Sequence, residues 1–189
     1  SIHYVVGVDH NFTILTRPFK FVGEAYYKQL KDIVPYELDN VRIRYYADNS
    51  ASGYARGIDL KLNGDFIKGI ESWASISVMQ TAEDIKNDQY TLYTALFTDT
   101  IVQTPVRYEQ TIDSGIIYPG YIPRPTDQRV NFALTFQDYL PRYEFIQMHL
   151  SLIFGTGLPT GPPSYTRYKD VFRMPPYRRV DIGFTARLK

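Results

Sequence analysis

"PYRRVDIGFTARLK", residues 176–189, alternates without a break from Arg179 onward. Val180, Ile182, Phe184, Ala186 and Leu188 fall on one side of an extended chain. Arg179, Asp181, Thr185, Arg187 and Lys189 fall on the other. Successive side chains of a strand point to opposite faces, so this segment separates two different environments. They are either a core and water, or lipid and a water-filled lumen.

The same period recurs along the chain. A first strand, Ile2 to about Phe12, sets Ile2, Tyr4, Val6 and Val8 against His3, Gly7 and Asp9. A second, Phe19 to about Leu30, sets Phe19, Phe21, Ala25 and Tyr27 against Lys20, Glu24, Tyr26 and Lys28. "YARGIDLKLNGDF" (54–66) opposes Ile58, Leu60 and Leu62 to Asp59, Lys61 and Asn63. "SWASISVMQT" (72–81) opposes Ala74, Ile76 and Val78 to Ser75, Ser77 and Met79. "DQRVNFALTFQDYL" (127–140) opposes Val130, Phe132, Leu134 and Phe136 to Arg129, Asn131, Thr135 and Gln137. "EFIQMHLSLIFG" (144–155) opposes Ile146, Met148, Leu150, Leu152 and Phe154 to Gln147, His149 and Ser151. Period two in every segment predicts seven two-sided strands. Several run to about 10 residues or more, beyond the 5–6 usual in a soluble sheet and close to the 9–11 needed to cross a bilayer.

The connections alternate in length. "TRP" (16–18), "IKGIE" (67–71) and "LPRYE" (140–144) read as tight turns, whereas 31–53, 82–126 and 156–177 are long. A transmembrane barrel sorts its loops in this way, with short turns at one end and long loops at the other. Aromatic residues gather at the short-turn ends: Phe12 and Phe19, Phe66 and Trp73, Tyr139 and Tyr143. Rings with one polar tip favour a lipid–water boundary, so these residues read as a girdle. Within the longest connection, "YTLYTALFTDTIV" (90–102) has strand composition and reads as an outer hairpin or an extension of the flanking strands.

Composition narrows the function. The 21 basic and 20 acidic residues nearly cancel, which removes the global field of a nucleic-acid binder. There is no cysteine, hence neither a disulfide framework nor a thiolate metal site. No apolar run reaches 18 residues, so a transmembrane helix is excluded, but alternating strands escape that test. The opening residues already read as a strand rather than a signal peptide.

No catalytic constellation stands out. His3, His10 and His149 are scattered without metal-ligand spacing, and no nucleophile elbow is present. Glu83, Asp84 and Asp88 are expected in a polar loop and read as solvated surface. "GTGLPTG" (155–161) lacks the Lys-Ser/Thr ending of a phosphate loop and reads as a strand end opening into an irregular connection. Arg129, Arg178, Arg179, Asp181 and Arg187 form the densest charged group, read as wall-lining polar residues joined by cross-strand ion pairs. The candidate lumen-lining set is Arg129, Asn131, Gln147, His149, Arg179, Asp181 and Arg187. The candidate lipid-facing set is Ile146, Met148, Leu150, Leu152, Val180, Ile182 and Phe184.

"YARGIDLKLNGDF…ESWASISVMQT" resembles paired barrel strands of the Bacteroidetes-type TonB-dependent outer-membrane receptors. "RPTDQRVNFALTFQDYLP", "LIFGTGLPTGPP" and "YKDVFRMPPYRRVDIGF" resemble the strands that follow, in order and spacing. The resemblance covers 54–189 well and 1–53 more loosely. It implies a barrel of about 22 strands around an N-terminal plug, in a Gram-negative outer membrane, importing a scarce nutrient with energy relayed through TonB. The expected fold is therefore all-β: an antiparallel meander of about seven to eight long strands, one partial barrel domain spanning 1–189. Plug and remaining strands are expected outside this sequence. Outer-membrane lipid, the plug, the TonB system and an unidentified nutrient are the expected partners, with no cofactor, nucleic acid or catalysis. Two other readings stay open: a standalone small outer-membrane barrel, with 90–102 as eighth strand, and a soluble β-barrel binding module.

Overall fold

The computed structural model describes residues 1–39, 42–67, 70–96, 111–140, 143–161 and 171–186. Among the described residues there is no helix. Seven strands are long: β1 (Ile2–Ile14), β2 (Arg17–Ile33), β5 (Ala51–Ile67), β6 (Ile70–Ile85), β10 (Val130–Leu140), β11 (Tyr143–Gly155) and β14 (Tyr177–Ala186). The long connections carry short ones. There β3 (Tyr36–Asp39) pairs with β4 (Arg42–Tyr45), β7 (Tyr90–Leu96) with β8 (Thr111–Ile117), and β12 (Pro159–Thr160) with β13 (Phe172–Arg173). The two-residue β9 (Ile122–Pro123) joins the far end of β6.

The long strands pair in sequence order, β1-β2-β5-β6-β10-β11-β14, and every pairing is antiparallel. The protein is an all-β antiparallel meander, and its sheet is not closed, since β1 and β14 are its two edges. The seven expected strands are all present, most of them reaching further than their alternation alone indicated. β5 and β6 extend to 17 and 16 residues. The 90–102 stretch supplies the first arm of a hairpin. Tyr90–Leu96 pairs with Thr111–Ile117 and not with the main sheet, so no eighth wall strand comes from these residues; 97–102 lie outside the described residues. The first short turn is closed by Leu15 and Thr16, both in the left-handed region at φ 48° and 64°. Two such residues in succession match the mirror-image turn that suits the twist of a two-residue hairpin.

Cross-strand register turns the sequence alternation into two continuous faces. One row reads His10, Phe21, Leu62, Ala74, Leu134, Leu152 and Val180 across all seven strands. The neighbouring row on the opposite face reads Asn11, Lys20, Asn63, Trp73, Thr135, Ser151 and Asp181. A slip of one residue in any pair would interleave the two sets. None occurs between the strand ends; the register shifts lie at Leu30/Ile33, Gly64/Ile67 and Tyr139/Leu140, close to the rims.

Only one layer is built. The accessible surface is 13944 Å², against about 9,300 Å² for a compact monomer of this mass. Val6, Ile58, Val78 and Ile182 are 76%, 52%, 49% and 63% exposed, so among the described residues nothing covers the apolar face there. The buried apolar cluster, Ala51, Ile85 and Ile122 with Ile33 against it, lies instead at the long-loop end.

Candidate functional site

The polar face is tied together by its own side chains. Lys20 pairs with Asp9 at 2.7 Å, Ser77 donates to Asp59, and Lys61 lies over the Trp73 ring at 5.5 Å. Gln147 Nε2 donates to Gln137 Oε1 at 3.0 Å, and His149 Nε2 lies 3.0 Å from Thr185 Oγ1. Arg179 and Asp181 pair at 2.7 Å along the same strand. The expected ladder between strands is thus, at this point, a contact between neighbours on one face of one strand.

Of the candidate polar set, Asn131, Gln147, His149, Arg179 and Asp181 share this face. Arg129 stands just before β10 and is held at the rim by Asp127. Arg187 lies outside the described residues. The charged group read as one cluster is therefore divided, since Arg178 pairs with Phe154 and sits on the opposite, apolar face. The candidate apolar set, Ile146, Met148, Leu150, Leu152, Val180, Ile182 and Phe184, falls together on that face.

Aromatic rings border the apolar face at both ends of β1, β2 and β5. At the short-turn end His10, Phe12, Phe19 and Phe66 form a chain, with centroids 5.8, 5.7 and 5.3 Å apart. At the long-loop end Tyr4 is paired with Tyr27, Tyr27 stacks on Tyr54 at 6.5 Å, and Tyr54 meets Tyr121 at 5.6 Å. Phe19 and Tyr27 are eight residues apart on β2, about 26 Å along the strand, or about 20 Å with barrel-like tilt. The girdle expected at the short turns needs correction in its membership. Trp73 and Tyr139 pair with Asn63 and Gln147 and so belong to the polar face. A tight turn brings strand ends together but does not decide which side an aromatic residue takes; residue parity does.

The long-loop end holds buried carboxylates. Asp127 is fully buried. It accepts from the Thr81 backbone N–H at 2.7 Å, from Arg129 Nε at 2.8 Å and from Arg173 Nη2. Arg173 also donates to the Asp127 and Gly157 carbonyls, at 2.7 and 3.1 Å. Glu83, equally buried, pairs with Arg124 at 2.9 Å, and that guanidinium lies 5.9 Å from the Tyr36 ring centre. Its register partner is Gly53, and a side chain there would meet Glu83 Cβ at 3.1 Å. Glu37 takes Arg44 at 3.1 Å and Tyr46 Oη at 3.0 Å.

These carboxylates overturn the reading of Glu83 and Asp88 as solvated surface. Glu83 is the last but two residue of β6 and faces a glycine. Asp88 is 6% exposed, and its Oδ2 is buried without a hydrogen-bond partner. The fifth strand, expected from Asp127, begins only at Val130, and Asp127's partner Arg173 is 46 residues away and carries no local signal. The "GTGLPTG" stretch behaves as expected, leaving β11 at Gly155 and approaching the Met174 backbone at Gly157.

Among the described residues no three His, Cys, Asp or Glu side chains come together as a metal site. No described helix is long and apolar enough to cross a membrane. No family model matches the chain, and no curated protein or solved structure is found similar to it.

Proposed function

We propose that this chain is a wall segment of an outer-membrane transport receptor of the TonB-dependent type, working in energy-coupled uptake of a nutrient. One observation carries the reading. Seven long strands align an exposed apolar face, bordered by aromatic rings at both ends of β1, β2 and β5, against a hydrogen-bonded polar face. In water, a sheet that leaves Val6, Ile58, Val78 and Ile182 half to three-quarters exposed forgoes the burial that stabilises a soluble domain. In a bilayer the same face is solvated by lipid, and the polar face lines an aqueous interior. The resemblance of the 54–189 segments to Bacteroidetes-type receptors adds the transport role. It also supplies the expected companions: further strands, a plug, the TonB system and a Gram-negative outer membrane.

A standalone eight-stranded barrel is less well supported, because Tyr90–Leu96 pairs outside the sheet. A soluble binding module would require a cover for the apolar face.

The absence of cysteine allows a direct test. Single cysteines are placed at Val78, Leu152 and Ile182, and at Ser77, Ser151 and Asp181, in the chain reconstituted into lipid vesicles. The first three are expected to resist a membrane-impermeant maleimide, and the second three to react with it. Equal reaction at both sets would overturn the membrane assignment.

A further inference from the structure

Beside the long-loop rim the apolar face has a shallow depression of about 680 Å³, within the size range of small-molecule sites. One cross-strand row forms its floor: Val6, Ala25, Ile58, Val78 and Val130. The small Ala25 lies between Val6 and Ile58, which lowers the floor along β2. On the next row outward stands Arg56; the other cation at the depression, Arg129, is already paired with Asp127 at the rim. Its guanidinium is already oriented: Nε and Nη2 donate to Gln80 Oε1 at 3.2 and 2.7 Å, and its Cζ lies 5.4 Å from the Tyr54 ring centre. Nη1 takes no partner among the described residues. A preoriented guanidinium with a free edge suits a phosphate better than a mobile lysine does.

We propose that this depression holds an acyl chain of a phosphorylated lipid whose phosphate pairs with Arg56. The inference rests on the membrane reading above and adds a specific lipid to it. Charge complementarity selects an anionic head group, and the apolar row below selects its hydrocarbon. Long loops mark the outward end of a barrel, so the lipid is a phosphorylated one of the outward-facing leaflet, for which lipid A serves as the probe. A generic lipid shell requires neither the fixed arginine nor the lowered floor.

The test replaces Trp73 with Phe and Val130 with Trp, and reconstitutes the chain in vesicles of phosphatidylcholine brominated on its acyl chains. Bromine quenches the new tryptophan by contact. Unbrominated lipid A at a few mole per cent is expected to relieve quenching several-fold more than dephosphorylated lipid A does. In the same background Arg56→Gln is expected to abolish that difference, while quenching by the brominated host persists. A tryptophan at Ile182, on the same face but beside the far edge, is expected to show no difference between the two lipids. Equal relief by both lipids at position 130, or a preference that survives Arg56→Gln, would overturn the lipid site and leave the membrane reading intact. Absence of quenching at both 130 and 182 would remove the membrane reading itself. Native mass spectrometry of the unaltered chain, in detergent with both lipids, gives a second measure in which selective retention of the phosphorylated form is expected.

Discussion

The middle of the wall and its long-loop rim are built on opposite terms. Between the aromatic borders the chain is one layer thick, and residues such as Val78 and Ile182 remain exposed. At the rim the connections fold back, and Ala51, Ile85, Ile122, Glu83 and Asp127 become buried. The rim obtains its stability from contacts within the chain. The wall can obtain the equivalent only from what surrounds it. A substitution in the wall should therefore depend on the presence of lipid, and a substitution at the rim should not.

The largest expected effect is that of Ile182→Arg. Placing a guanidinium on the apolar face near mid-wall costs about 2–4 kcal/mol in a bilayer. Ser151→Arg, one strand away on the polar face, should cost little. Urea titrations of vesicle-folded chains would measure both, and similar costs for the two would erase the distinction between the faces. In the absence of lipid the two substitutions should differ little.

At the rim, Asp127→Ala removes the carboxylate shared by Arg129 and Arg173 and strands the Thr81 N–H. Breaking a buried pair costs several kcal/mol, and because both guanidiniums are partly exposed we expect about 2–3. The loss should fall on the connection through Phe172–Arg173. Hydrogen exchange there should quicken, with β10 and β11 unchanged, in lipid and in detergent alike. Uniform acceleration through the wall would show that rim and wall are one cooperative unit.

Gly57→Ala examines how the wall packs within itself. A Cβ at this position would stand 2.6 Å from Tyr26 Oη and 2.7 Å from the Val78 carbonyl oxygen. Tyr26 lies across its register partner, on the polar face, and fills the space that glycine leaves. Displacing the ring should cost about 1–3 kcal/mol, comparable to overpacking elsewhere. Tyr26→Ala should recover the part of the loss due to the ring and leave the part due to the Val78 carbonyl, so a double-mutant cycle with no coupling would exclude this packing.

The contrast also marks what sequence could reveal. Val180, Ile182 and Phe184 against Arg179 and Asp181 declare their faces locally, because alternation is a property of one strand. Short turns then fix three of the six neighbouring pairs, and the long connections join the rest into the wall that runs from His10 through to Val180. The rim is different in kind. Asp127 and Arg173 are brought together by two long connections, and Glu83 is buried because Gly53 lies opposite on another strand. Nothing near Glu83 in the sequence separates it from a solvated carboxylate. Trp73 leaves the girdle for a related reason: nearness to a turn does not set its face, and its parity with Ser75 and Ser77 does.

The smallest effect concerns Asp88, which no arginine reaches in the way that Arg124 reaches Glu83. Burial first, and the nearby Asp84 carboxylate second, hold its carboxyl above the ordinary carboxylate range. The folded chain thus favours the protonated form. Its contribution to stability is fully present below the unfolded value of about 3.9, and is lost as pH rises through the raised folded one. Asp88→Asn keeps the group uncharged at every pH. The variant should match the parent in acid and protect the 85–91 segment more strongly near neutrality, as hydrogen exchange between pH 4 and 8 would measure. Because Asp88 lies beyond Ile85, the end of its wall strand, the difference should be the same with and without lipid. A lipid-dependent change would move this carboxylate from the rim into the wall, and the boundary between the two regions with it.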